Sequence, residues 1–263
     1  MRDVIYSPRM SQSLMPVGVL ISSGWEQFKR DWKANLELSV RFVLAAAIVF
    51  AAALIGRSLP PAGSLAFNLL AVGTAAAINL HTILTLLELS LRRDRSGAGE
   101  AKASVEVGRT HFFPFLWVLV LQSLAVFGGM IAFFLPGVWL SVLLGYSLPS
   151  LVEDGTRGLD ALKASADLVK GRWWATFGRN LVVGIIVGLL MSLTTLLILV
   201  VVGLFIGMDQ VFGLAEYVND TAVPANPVVD GVLAVLNGIV QAIFVPLAVI
   251  YQVKIFHGLK KSR

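Results

Sequence analysis

The chain has 263 residues, of which 57% are hydrophobic and only 14% are charged. Soluble domains average about 25% charged residues, so this composition excludes an ordinary soluble globular protein. There is no cysteine, which excludes disulfides, thiolate metal sites and a thiol nucleophile. The formal net charge is +5, and the positions of the basic residues decide whether this charge serves nucleic-acid binding or membrane topology.

Six apolar segments approach or exceed the length of about 20 residues that a bilayer crossing requires. They lie at about 38–55, 66–89, 113–135, 138–152, 177–206 and 232–256. A turn is predicted at Pro136-Gly137 between the third and fourth spans, and the fourth span is short and contains Pro149. The sequence therefore predicts an all-α membrane protein with about six transmembrane helices in three hairpins.

The segments between the spans predict the domain organisation. We expect residues 1–34 to form a cytoplasmic or interfacial arm, 35–256 a single six-helix transmembrane domain, and 257–263 a cytoplasmic tail. The first apolar patch, 14–21, is short and lacks a small-residue cleavage site after it, so no signal peptide is predicted.

The distribution of Lys and Arg predicts the orientation. Twenty of the 21 basic residues fall on one side, and only Arg57 falls on the other. The connection 207–230 on that other side carries four acidic residues and no basic one. Both termini are therefore predicted to be cytoplasmic. The basic residues would also suit anionic lipid headgroups, and no nucleic-acid partner is expected.

A charged segment at about 157–174 interrupts the apolar sequence between the fourth and fifth spans. Its apolar positions recur at helical spacing: Leu159, Leu162, Ala166, Val169 and Trp173. Its charges fall on another face: Asp160, Lys163, Asp167 and Lys170. Because this helix is too short to span a bilayer, we expect it to lie in the membrane interface.

Similar segments precede the first and third spans. Ser23, Ser104 and Ser165 are each followed nine residues later by an aromatic residue. This spacing predicts three repeated units, each an amphipathic interfacial helix followed by a hairpin. The alternative is that any connection between spans becomes basic and amphipathic.

The residues from 136 to 174 form a longer pattern. It has a Pro-Gly pair, an aromatic residue, a short span with a late proline and an acidic residue, an Ala-Leu-x-x-Ser segment, and a basic-Gly-basic-aromatic ending. These positions are Pro136, Gly137, Trp139, Pro149, Glu153, Ala161, Leu162, Ser165, Lys170, Gly171, Arg172 and Trp173. The pattern resembles the membrane-domain family of glycerophosphoryl diester phosphodiesterases and related uncharacterised bacterial integral membrane proteins.

The resemblance implies a multi-pass protein of the bacterial cytoplasmic (inner) membrane. In some members of the family, the membrane part is fused to a soluble phosphodiesterase barrel. Because the sequence ends shortly after the sixth span, we expect no barrel here, and its metal-binding residues have no counterpart. The resemblance therefore implies no activity by itself.

Polar and ionisable residues within spans are candidates for an intramembrane site. They are Asn79, His81, Glu88, Gln122, Asn237 and Gln241. His81 and Glu88 lie seven residues apart on one helix face, which would suit a proton relay or a metal pair. One histidine and one carboxylate are too few ligands for a metal site, however, and Glu88 can pair with Arg92 instead. Interhelical hydrogen bonds are the commoner role of the amides.

No catalytic set, cofactor site or metal site emerges from these residues. We therefore expect a non-catalytic integral membrane protein, a scaffold or accessory subunit that acts with lipids, a partner protein or another copy of itself. The alternative is a transporter or permease for a lipid or a small molecule, which the repeats and the polar residues in the spans would serve.

Overall fold

The structure is a computed structural model that describes residues 14–97, 101–206 and 227–262. The first 13 residues of the predicted arm, most of the acidic connection 207–230 and Arg263 lie outside these ranges. Within them, the chain forms nine α-helices and no strand. The helices are α1 (Val17–Gly56), α2 (Pro61–Ser96), α3 (Ala101–Thr110), α4 (Phe112–Ala132), α5 (Phe134–Leu144), α6 (Ser147–Asp154), α7 (Leu159–Val169), α8 (Trp173–Ile206) and α9 (Pro227–Lys261).

Six helical stretches in the described ranges are long and apolar enough to cross a membrane. Five belong to α1, α2, α4, α8 and α9, and the sixth is Phe134–Asp154, which α5 and α6 form together. The all-helical class and the number of spans predicted from the sequence are confirmed. Apolar side chains of α4 and α8 stay exposed along most of their length, as expected for helices that face lipid.

The best-buried part of the bundle lies where α1 begins and where α2 and α9 end. We call this part the charged end. There α9 packs along α1, and the short helices α3, α6 and α7 pack around the long ones. Phe115, Tyr146 and Phe256 are fully buried in this region. The charged end is therefore the packed core of the molecule, and it positions the side chains considered below.

The turn between the third and fourth spans lies earlier than predicted. α4 ends at Ala132, and one extended residue, Phe133, leads into α5, so Pro136 falls in the first turn of α5. Proline is tolerated there because the first N–H groups of a helix lack intrahelical acceptors. Gly137 serves close packing, since a Cβ on it would lie 2.8 Å from the backbone nitrogen of Met130. The predicted turn at Pro136-Gly137 was therefore wrong.

The charged segment forms α7, but much of its predicted apolar face packs against other helices. α7 ends at Val169, and Gly171 then adopts a left-handed φ of +79°, so Trp173 begins α8 instead of extending α7. The buried residues of α7 are Ala161, Leu162, Ser165, Leu168 and Val169. They lie against α5 and α6, and Leu159 is exposed. The apolar face predicted to enter the membrane interface is thus covered mainly by protein.

The three predicted units differ from one another. Separate short helices, α3 and α7, precede the third and fifth spans. The first unit has no separate helix, because α1 runs unbroken from Val17 to Gly56 and joins part of the predicted arm to the first span. A short helix distinct from the following span is therefore found in two units, whereas in the first unit the corresponding residues are continuous with the span. The position of these helices in the membrane interface stays a prediction. The predicted domain boundaries at 34/35 and 256/257 stay predictions.

Candidate functional site at the charged end

A network of ionisable side chains joins the ends of α2, α6 and α9. His257 of α9 lies between two carboxylates: its Nδ1 is 2.6 Å from Oδ2 of Asp94, and its Nε2 is 2.6 Å from Oε2 of Glu153. Lys254 donates to Asp94 Oδ1 at 3.0 Å. Lys260 donates to Glu153 Oε1 at 2.9 Å and to Asp154 at 2.6 Å. We call these six residues the charged-end network.

Helical spacing explains how these residues meet. Lys254, His257 and Lys260 are three residues apart, so they share one face of α9. Glu153 lies in the last turn of α6, and Asp94 lies in the last turn of α2. The three helix ends therefore converge on the cationic face of α9.

The network is balanced in charge, with three carboxylates facing three basic side chains. Ionised carboxylates only accept hydrogen bonds, so the two contacts of His257 fit a protonated ring that donates from both nitrogens. Each oxygen of Asp94 and of Glu153 already has a donor of this kind. Because neither carboxylate is left available as a general base, the arrangement suits a clamp between helices better than proton transfer.

The fourth span is broken between α5 and α6, and neighbouring helices satisfy the broken backbone. Pro149 has no N–H, so it cannot donate to the carbonyl of Gly145 four residues earlier. Gln252 of α9 donates its Nε2 to that carbonyl at 2.9 Å. Proline at this position therefore explains why the span is interrupted and why a polar side chain of α9 is needed beside it.

Ser165 of α7 also satisfies backbone groups at this break. Its hydroxyl accepts a hydrogen bond from the N–H of Tyr146 at 3.0 Å and donates to the carbonyl of Leu143 at 2.8 Å. Ser165 is fully buried. The Tyr146 hydroxyl in turn donates to Asn180 of α8 at 2.8 Å. Ser165 thus links α7 to the point where α5 ends.

The last residues of the 136–174 pattern tie α8 to the bundle. Arg172 donates to the carbonyl of Leu259 at 3.1 Å and to the hydroxyl of Ser262, so it caps the end of α9. Trp173 donates its Nε1 to the carbonyl of Trp139 at 3.1 Å. Lys170 is exposed. Most of the pattern therefore serves the connections between helices near the charged end.

Three of the polar residues predicted within spans lie in separate places. Glu88 pairs with Arg92 on its own helix, as the four-residue spacing indicated. His81 contacts another helix instead, with its Nδ1 3.4 Å from Nη1 of Arg41 in α1. Asn79 keeps a buried Oδ1 without a hydrogen-bond partner among the described residues. The structure therefore gives His81 and Glu88 different partners.

The remaining three candidates lie on α4 and α9. The Oε1 of Gln122 is buried and has no hydrogen-bond partner within the described ranges. Gln241 donates to Asn237 at 3.1 Å, and Asn237 lines a cleft of about 310 Å³ between α8 and α9. In the part of the chain that the structure describes, no group of three or more His, Asp or Glu residues is placed to hold a metal ion.

Sequence reasoning missed five members of the charged-end network: Asp94, Asp154, Lys254, His257 and Lys260. The available signal was the three-residue spacing of the basic residues on α9. Glu153 was identified from the pattern, but its partner His257 lies 104 residues away. A single sequence contains no information on such a pairing.

The helical architecture and the six spans define a multi-pass integral membrane protein. The sequence profile of the membrane domain of glycerophosphoryl diester phosphodiesterase matches residues 114–261, more than half of the chain. The chain therefore belongs to this membrane-domain family, as the 136–174 pattern indicated. The match covers every member of the charged-end network except Asp94. No curated protein and no solved structure matches the chain.

Proposed function

We propose that the protein is a non-catalytic membrane scaffold or accessory subunit, whose charged end is a rigid docking platform for a partner protein. The observation that carries this proposal is the use of the 136–174 pattern for joining helices. Glu153, Ser165 and Arg172 each bond to a different helix or helix end. The family is described as the membrane domain of an enzyme, which supports a role beside a separate catalytic module.

The proposed setting is a bacterial cytoplasmic membrane with both termini and the charged end in the cytoplasm. The excess of basic residues on that side supports this orientation. The outer face of α7 would then be open to a soluble partner. It carries the exposed ion pair between Asp160 and Lys163, with 3.6 Å between Oδ1 and Nζ.

A transporter is the second candidate function. The buried, unpartnered oxygens of Asn79 and Gln122 favour it, since polar atoms in a span often line a substrate path. The cleft between α8 and α9 supports it less, because of the six candidate polar residues only Asn237 lines it.

The test is reconstitution of the purified full chain into lipid vesicles, with hydrolysis and uptake of a glycerophosphodiester measured side by side. We expect both rates to equal those of empty vesicles. Hydrolysis that rises in proportion to the protein added would contradict the non-catalytic role. Uptake that Asn79→Ala abolishes would establish transport instead. The matched control is Asn68→Ala, because the Asn68 amide bonds only within its own helix, 2.9 Å from the carbonyl of Ser64.

A further inference from the structure

A surface cleft of about 250 Å³ lies between α1 and α3, apart from the charged-end network. It is lined by Glu37, Leu38, Arg41, Ala101 and Val105. Two of these residues carry opposite charges. Glu37 and Arg41 are four residues apart on α1, so their side chains leave the helix on the same side, one turn from each other.

Neither charge in the cleft has an ion-pair partner among the residues that the structure describes. The spacing would allow an ion pair between Glu37 and Arg41, yet the two do not pair. No other charged side chain among the described residues pairs with either of them. Within the described ranges, the hydrogen-bond partner of Arg41 is the ring of His81, with 3.4 Å between Nη1 and Nδ1. A guanidinium group has five N–H donors, so most of those on Arg41 remain available to a ligand.

The cleft lies near the depth at which lipid headgroups are expected. α4 exposes apolar side chains from Phe113 at its start, 77% exposed, to Phe133 just after its end, 73% exposed. The apolar layer should therefore begin near the start of α4. The ring centroid of His81, which contacts Arg41, is 6.4 Å from that of Phe112. An unpaired Arg at this depth is favourable only if an anionic group or water meets it, and a lipid phosphate provides such a group.

We propose that this cleft binds the headgroup of an aminophospholipid, with the phosphate on Arg41 and the ammonium group on Glu37. Charge complementarity selects this class of lipid. The planar guanidinium suits the phosphate oxygens, and the carboxylate suits a primary ammonium donor. A headgroup without an amine would leave Glu37 facing negative charge. This goes beyond the proposed function, since a docking platform at the charged end needs no lipid between α1 and α3.

The experiment is native mass spectrometry of the purified full chain in an uncharged detergent, titrated with dioctanoyl phosphatidylethanolamine. The dissociation constant of the first bound lipid is measured. Glu37→Gln and Arg41→Gln are each expected to raise it about tenfold, because each removes a hydrogen bond to a charged group. For phosphatidylglycerol, only Arg41→Gln should weaken binding. The controls are Glu26→Gln and Lys33→Gln. Both residues are exposed on the same helix outside the cleft, so each substitution should change the dissociation constant by less than about twofold.

A third variant keeps the test decisive if a charge variant does not fold. Val105→Phe fills the cleft from α3 and leaves both charges in place, so it should weaken lipid binding about tenfold as well. The soluble headgroup, glycerophosphoethanolamine, should compete only at concentrations far above those of the lipid, because it buries no acyl chain. Equal affinity for phosphatidylethanolamine and for glycerophosphoethanolamine would show that the occupant is not a lipid. Non-saturable binding would contradict the proposal that the cleft binds the lipid. Dissociation constants that are equal in the wild type and in the Glu37, Arg41 and Val105 variants would contradict it as well.

Discussion

Replacing Glu153 by Gln is expected to lower the free energy of unfolding by about 2–4 kcal/mol. The side chain of Glu153 is only 11% exposed, and its two oxygens meet His257 and Lys260. The neutral amide would leave both basic groups without one of their carboxylates in a largely buried place. His257 would keep its contact with Asp94, and Lys260 its contact with Asp154. The loss of stability should therefore be smaller than for a buried charge without any partner.

The effect of Glu153→Gln is measured by chemical unfolding of the purified chain in detergent micelles. Glu106→Gln is the matched control. Glu106 pairs with Arg109 on the surface of α3, where the closest oxygen and nitrogen are 4.0 Å apart and both side chains are 73% exposed. Exposed pairs of this kind contribute little, so we expect a change below about 0.5 kcal/mol. Equal losses in the two variants would contradict the role of the charged-end network as a clamp.

Replacing Ser165 by Ala is expected to cost about 2–4 kcal/mol of stability. The substitution removes the acceptor of the Tyr146 N–H and a donor to the Leu143 carbonyl at the break of the fourth span. The site is fully buried, so water cannot easily replace the lost hydroxyl. The variant should therefore loosen the contact between α7 and the point where α5 ends.

The control for Ser165→Ala is Ser22→Ala in the same unfolding experiment. The Ser22 hydroxyl is exposed and donates only within its own helix, 3.2 Å from the carbonyl of Val19. Its removal should change stability by less than about 0.5 kcal/mol. If Ser165→Ala is as stable as this control, Ser165 does not hold the break.

The spans were predictable because the length of an apolar segment dominates membrane folding. Pro149 indicated the break in the fourth span. The sequence did not indicate that Ser165 and Gln252 would form hydrogen bonds with the free backbone groups at this break. These residues come from helices that are distant in sequence, and only the packed bundle brings their side chains to the free backbone groups. The turn was misplaced for a related reason. Pro and Gly suggested a loop, whereas Pro136 suits a first helical turn and Gly137 allows close packing on Met130.

The candidate site was less predictable than the fold. Periodicity places Lys254, His257 and Lys260 on one face of α9, but it does not tell which helix supplies the opposing carboxylates. The cleft between α1 and α3 was hidden in the same way. The four-residue spacing of Glu37 and Arg41 would suit an ordinary helical ion pair, and only the structure shows that both line a cleft without pairing.

The central claim, a platform that docks a partner protein, is tested most directly by native mass spectrometry. The chain is released from membrane vesicles of the organism that makes it, without detergent exchange. The account predicts a second polypeptide at fixed stoichiometry. It also predicts that Lys163→Glu, on the exposed face of α7, loses this polypeptide and that Glu106→Lys, on α3, keeps it. A chain that leaves the membrane alone, or with lipid only, would contradict the docking role.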